Sequence, residues 1–443
     1  MNTWLVGRLS DSRFPVLTLV LLGLSVGNLA AQLPLAGFPS THEARREFFR
    51  EIPVDPASEP LVERDLIRAP GAGDVVLRMR DEAEHRFYAF LPMDTPDGPR
   101  RDGPGSWEMR QRLSDGAWDR IIVYLHAGGA SRVTIRPRSG LRTLQMEVTL
   151  AGETFYRNVN LPMTMERALS AGFDEIVAAT AGLVNWDIAF PDPSDPGYTR
   201  VAAMLTRIRA VLPDLPDAED GALGRDGQFR FIATGLPMEE GGFNCSGFAK
   251  WIADGLYAAG GGPLLPIDAL RVKHLAYRGT RWSRRLEQTR DPYFGLDWTR
   301  NIALHLLAAE EGAAPSQLDP ESRDVRSVPF VRYREDIGYD TDLLRPVLYW
   351  LASRAPGTIY FGSVNLPGGD DEVLRQHSHV VVLLPFFDPA GVFRVAVMER
   401  NRESSLTALA ARYPGSFTHL VRVDVEGAFN PPPLPGPAVP SAN

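Results

Sequence analysis

Apolar and polar positions alternate with a period of two between Asp74 and about Pro162. Leu144, Met146, Val148 and Leu150 fall on one side of an extended chain, and Thr143, Gln145, Glu147 and Thr149 on the other. That spacing predicts a half-buried strand, with Ala151-Gly152-Glu153 as a hairpin loop into Thr154–Asn158. Ile121–Leu125 and Arg132–Ile135 read as further strands, and short strands separated by Gly/Pro-rich turns predict a β-sandwich or small barrel. Met163–Val184 switches to a helical period. The run Pro191-Asp-Pro-Ser-Asp-Pro-Gly197 then breaks the chain and marks a domain boundary.

Beyond the break, Val201, Met204, Leu205, Ile208 and Val211 share one face of a helix over about Thr199–Leu212. Pro213–Gly227 is an acidic loop. A second helix opens at Asn244 or Cys245 and carries Phe248, Trp251, Ile252 and Leu256 at helical spacing. Residues 261–339 show no clear period and read as an insertion. Thr341–Ser353 is again helical, followed by strands at Thr358–Phe361, Val380–Pro385 and Val392–Glu399. The predicted class is α+β: a β-rich N-terminal domain over residues 32–190, then a second domain over 198–429. The last 14 residues, 430–443, hold six prolines and predict a disordered, extended tail.

The N-terminus predicts export. Arg8 and Arg13 outweigh Asp11, the 13 residues Phe14–Val26 are uncharged and apolar, and small residues follow at Ala30 and Ala31. This core is too short for a bilayer span, which takes about 20 residues. The reading is a signal peptide over 1–31, a periplasmic or extracellular mature chain, and no stable membrane span after cleavage; an uncleaved anchor is the alternative. Gly23-Leu-Ser-Val-Gly27 matches a serine-hydrolase elbow but lies inside this leader, without the required strand and helix.

Composition removes other classes. The chain has 443 residues, 44% of them hydrophobic and 23% charged, a globular balance. Its 47 basic residues against 55 acidic give −8, which argues against a general nucleic-acid binder. One cysteine excludes an internal disulfide framework and a Cys-rich zinc module.

That cysteine is also the main chemical candidate. Gly241-Gly-Phe-Asn-Cys245-Ser246-Gly247 leads into an amphipathic helix, so Cys245 falls in the first turn, where unpaired N–H groups and the helix dipole stabilise a thiolate. Ser246 and Gly247 are small enough to let a substrate backbone approach. A thiolate nucleophile needs a base and a group to orient it. His379 stands at the entry to the strand Val380–Pro385, and the neighbouring strand ends with Glu399 and Asn401 on one face. His377 sits two residues from His379, which in a regular strand would place both on one face as a zinc pair. No third strong ligand is identifiable, so neither a metal nor another cofactor is expected.

The order of these pieces resembles the NlpC-type papain-like cysteine peptidases, which cut the peptide stems of bacterial cell walls. The resemblance rests on Phe231-Ile-Ala-Thr-Gly235, Asn244-Cys-Ser-Gly247, Pro356-Gly-Thr-Ile-Tyr-Phe361 and Ser378-His-Val-Val-Val-Leu383, and covers roughly Thr199–Asn401. It implies a papain-like domain in which a Cys-bearing helix packs on an antiparallel sheet. Cys245 would be the nucleophile, His379 the base, and Glu399 or Asn401 the orienting residue. The family's Asp before the cysteine is Asn244 here, and its upstream Tyr falls at Phe229 or Phe231.

The implied substrate is peptidoglycan or another envelope peptide. Phe231, Ser246 and Gly247 are substrate-side candidates. The basic run Arg271, Lys273, Arg278, Arg281, Arg284, Arg285 and Arg290 is opposed only by Glu287, and Arg281, Arg284 and Arg285 suit bidentate contact with substrate carboxylates. Two other readings stay open: a non-catalytic binding or scaffold protein on a degenerate papain-like fold, and an acyltransferase or amidase using the same Cys–His pair.

Overall fold

The computed structural model describes residues 37–51, 64–67, 75–93, 98–259, 263–274, 291–368 and 371–435. The leader 1–31 and the arginines 281, 284 and 285 lie outside them. The chain is α+β with large antiparallel sheets. Among the described residues no helix is long and apolar enough to cross a membrane.

The first half forms one sheet rather than a sandwich of two. Its strands are β1 (Arg64–Ile67), β2 (Val75–Glu82), β3 (His85–Pro92), β4 (Trp107–Arg112), β5 (Trp118–Tyr124), β6 (Arg132–Pro137), β7 (Leu144–Leu150) and β8 (Glu153–Leu161), paired antiparallel in sequential order. Each strand pairs with the next in sequence, even across the 14 residues between β3 and β4. Leu144, Met146, Val148 and Leu150 of β7 are buried on the face that the alternation predicts. The helical stretch after β8 is two helices, Met165–Ser170 and Phe173–Thr180, because Ala171 and Gly172 are extended. Glu175 restarts the second by accepting the Gly172 N–H at 3.0 Å.

After the proline-rich break comes helix Pro196–Val211, whose N-cap Asp195 accepts the Gly197 N–H at 2.7 Å. A small hairpin, β9 (Ala222–Leu223) with β10 (Phe229–Arg230), precedes helix Cys245–Tyr257. The second large sheet contains β11 (Tyr339–Asp340), β12 (Thr358–Gly368), β13 (Asp371–Phe387), β14 (Phe393–Glu399), β15 (Arg402–Ser404) and β16 (Phe417–Asp424), in the order β11-β16-β12-β13-β14-β15.

This sheet is apolar on both faces, and the period of two sorts its residues between two cores. Val380, Val382 and Leu384 of β13 pack with Phe248, Trp251 and Ile252 of the cysteine helix. Val381 and Leu383 belong instead to a core shared with the N-terminal sheet and with helix Leu344–Arg354. Each such side chain contributes about 1.5–3 kcal/mol by leaving water. Polar ties cross the same contact: Tyr349 Oη donates to the Ile188 carbonyl at 2.9 Å and Arg345 Nε to the Ala151 carbonyl at 2.8 Å. The halves on either side of the Pro191–Gly197 break therefore share a hydrophobic interior.

Two further segments differ from the sequence reading. The supposed insertion contains an 18-residue helix, Phe294–Glu311, packed against the sheet and the cysteine helix. It shows no amphipathic period because Asp297, Thr299, Arg300 and Asn301 are buried along with Leu296, Trp298 and Ile302. The start of the predicted tail is tied down. Asn430 N donates to the Gly255 carbonyl at 2.9 Å, Trp251 Nε1 donates to the Pro432 carbonyl at 3.2 Å, and the Phe429 ring packs edge-on against Trp251. Residues 436–443 lie outside the described part.

Candidate active site

Cys245 is the first residue of its helix and is partly buried. Asn244 is extended and caps the helix, its side chain accepting the Gly247 N–H at 2.8 Å. Among the described residues no acceptor takes the Cys245 or Ser246 N–H. Those amides stay free at the positive end of the helix dipole, where an anion is stabilised.

Ser246 and Gly247 pack closely against neighbouring elements, with the Ser246 hydroxyl 4.0 Å from the Cys245 sulfur. Ser246 is buried and its carbonyl accepts the Trp298 indole N–H at 3.0 Å. Gly247 packs under the Gly221–Ala222 backbone, where a Cβ would collide with the Gly221 carbonyl oxygen. The small pair serves to seat the helix.

His379 lies on β13, just past the point where that strand loses its β14 neighbour. The β13–β14 register runs as far as Val382↔Met398, and β14 then reverses into β15 at Arg400-Asn401, both with positive φ. This two-residue turn is the tight hairpin form. It leaves the edge of β13 at His379–Val380 open for the start of the cysteine helix. The Val380 N–H and the His379 side chain both act on the Cys245 thiol to favour its ionised form. His379 Nε2 pairs with Glu399 Oε2 at 2.8 Å, which leaves Nδ1 as the ring nitrogen available to the thiol. Glu399 is fully buried, and its other oxygen, Oε1, accepts from Arg412 Nη1 at 2.6 Å. The Tyr413 ring packs beside the imidazole, 5.2 Å between centroids.

The charges of the three groups reinforce one another. Burial pushes the Cys245 thiol up, but the His379 hydrogen bond and charge, with the Val380 N–H and Ser246, outweigh it, and the net shift is downward. Burial pushes His379 down, while its bonds to Cys245 and Glu399 lift it to about 9. Burial likewise acts against the Glu399 carboxylate, yet His379, Arg412 and Ser404 hold its pKa at about 2. A carboxylate, a histidine and a cysteine brought together are the parts of nucleophilic catalysis by cysteine.

Between the two orienting candidates, the structure places Glu399 against His379 and Asn401 elsewhere. Asn401 Nδ2 donates to the Pro216 carbonyl at 2.9 Å, and the adjacent Arg400 pairs with Asp217 and Glu219 at 2.8 and 2.9 Å. Asn401 therefore fastens the turn to the loop before the cysteine helix. Phe231 sits in an exposed turn, whereas Phe229 is buried against Phe243.

His377 and His379 are not a same-face pair. Val364 pairs with His379 and Asn365 with His377, so Ser378 is the extra residue of a β-bulge that turns the two rings apart. His377 is buried, with Nδ1 against Ser363 Oγ and Nε2 against the Asp336 carbonyl, both at 2.8 Å. Among the described residues no group of three or more His, Cys, Asp or Glu is arranged to hold a metal ion.

Arg412 and Tyr413 escaped sequence reasoning, because no motif surrounds them and their contact with Glu399 and His379 arises only in three dimensions. A model of a family described as a domain of unknown function (DUF8515) matches residues 34–188, the N-terminal sheet and the helices after it. No curated protein and no solved structure matches the chain.

Proposed function

We propose that this protein is an exported, papain-like cysteine hydrolase that cleaves amide bonds, with peptidoglycan stem peptides as its substrate class. The observation that carries the reading is the Cys245–His379–Glu399 line, with the sulfur at a helix start and the two partners on adjacent strands. The order of a cysteine helix, a histidine strand and a third polar residue on the next strand also matches the family that the sequence resembles; the wall-peptide substrate rests on that resemblance.

In this reading the Cys245 thiolate attacks the amide carbon, and the free N–H groups of the first helical turn receive the charge that develops on oxygen. The C–N bond breaks as the His379 imidazolium gives its proton to the leaving amine. A thioester remains. Water then attacks it, His379 takes the water proton, and the acid product leaves as the thiolate–imidazolium pair is regenerated. Glu399 stays ionised and keeps the ring in register throughout.

The test is alkylation of Cys245 across pH 4–9, together with turnover of wall peptides. Wild type reacts with an apparent pKa below the free-thiol value of about 8.5. His379→Ala moves that value upward, since the largest cause opposing burial is then gone. Cys245→Ala abolishes amide cleavage while the protein stays folded. A thiol that reacts only after denaturation would sink the proposal.

A further inference from the structure

Helix Leu406–Arg412 is anchored by buried Leu409 and capped by Ser405, which accepts the Ala408 N–H at 3.1 Å. Its last residue sends one guanidinium nitrogen to Glu399 Oε1, the oxygen that His379 does not use. The next residue lays its ring against the imidazole. Arg412 and Tyr413 are also within reach of each other, with the guanidinium 5.8 Å from the Tyr413 centroid.

We propose that Arg412 and Tyr413 form a positioning clamp on the Glu399–His379 pair. The guanidinium occupies one carboxylate oxygen so that the other is presented to the imidazole, and the Tyr413 ring keeps water from that bond. This extends the hydrolase reading and rests on it. Neither residue touches the reacting atoms. A carboxylate with two free oxygens can rotate or take up a proton; one oxygen fixed by a charge-assisted bond cannot do so freely. Hydrogen bonds between charged groups are also weakened by competing water, which gives the ring cover its purpose.

The groups facing this pair come from several elements. Glu399 meets His379 from β13, Arg412 from the short helix and the Ser404 hydroxyl from β15; His379 meets Cys245, Glu399 and the Tyr413 phenol. Removing the arginine cation makes the Glu399 carboxylate harder to form, which weakens the imidazolium that holds the thiol pKa down. The low-pH limb of Cys245 reactivity must then move to higher pH.

The experiment is the pH profile of Cys245 alkylation in wild type, Arg412→Gln, Arg412→Lys and Tyr413→Leu, each checked for folding by circular dichroism. Arg412→Gln is expected to raise the acid-limb midpoint by about one pH unit, a tenfold slower reaction below it. Arg412→Lys restores most of the shift, because the charge returns without the planar fork. Tyr413→Leu moves the limb in the same direction by roughly half as much on the same scale. A merely structural role lowers thermal stability and leaves the midpoint in place, and an unmoved midpoint in Arg412→Gln overturns the clamp. Should that variant not fold, Tyr413→Leu decides by the same criterion. A wild-type thiol with an ordinary profile instead removes the hydrolase reading itself, so the two failures are distinct.

Discussion

At the scale of single residues, the state of Cys245 is decided by a contest between burial and one neighbour. Burial pushes the thiol pKa up, and the balance reverses chiefly because of His379, whose own pKa is raised by Cys245 and Glu399. Glu399→Gln keeps the size of the side chain and removes its charge. His379 should then fall from about 9 toward its ordinary value. Loss of the imidazolium proton sets the alkaline limb of amide hydrolysis, so that limb should drop by one to two pH units, about two- to fiftyfold in rate at pH 8–9. The measurement is a pH–rate profile of kcat/KM; an alkaline limb that stays in place would show that Glu399 does not set the histidine's charge.

The elements show why part of the site was legible and part was not. The cysteine helix could be read because a Gly/Asn approach precedes an apolar stripe at helical spacing. The strands bearing His379 and Glu399 could be read because their apolar runs are bounded by turns. Helix Phe294–Glu311 could not, since burial around most of its circumference erases the periodicity on which such reading depends. The bulge at Ser378 was also invisible, because pairing with β12 creates it rather than any local pattern. The close packing of Gly247 under the Gly221 backbone was invisible too, because no local pattern links the two. Gly247→Ala should therefore destabilise the fold by about 1–3 kcal/mol through overpacking. It should also slow Cys245 alkylation as the helix start is pushed off the β13 edge. Urea unfolding with the alkylation rate checks both, and a variant of wild-type stability would contradict the packing argument.

For the molecule as a whole, a buried ionic cluster fastens helix Phe294–Glu311 to the segment that follows it. Arg300 is fully buried and reaches Asp324 at 2.7 Å and Asp336 at 3.0 Å, while His419 of β16 lies 3.3 Å from Asp324. Burial acts against the Asp324 carboxylate, but His419 and Arg300 pull its pKa to about 2 from 3.8. Because the folded value is depressed, this contribution to stability is fully present above about pH 4 and is lost as pH falls through about 2. Asp324→Asn should cost about 3–5 kcal/mol at neutral pH, the penalty of breaking a buried pair. It should also flatten the decline between pH 4 and 2. Chemical denaturation at neutral pH and at two acid values tests this, and an equally steep acid decline in the variant would place its origin elsewhere.

The double-sided sheet also limits how this chain can change over evolutionary time. Val381 and Leu383 face the N-terminal half, while Val380 and Val382, next to them in sequence, face the cysteine helix. Recombination at the proline-rich break would hand each product an uncovered apolar wall. Drift is coupled in the same way. A change in the first half that alters its fit to Val381 or Leu383 is felt one peptide bond from the residues that seat the nucleophile, and compensation for it must be sought across the sheet.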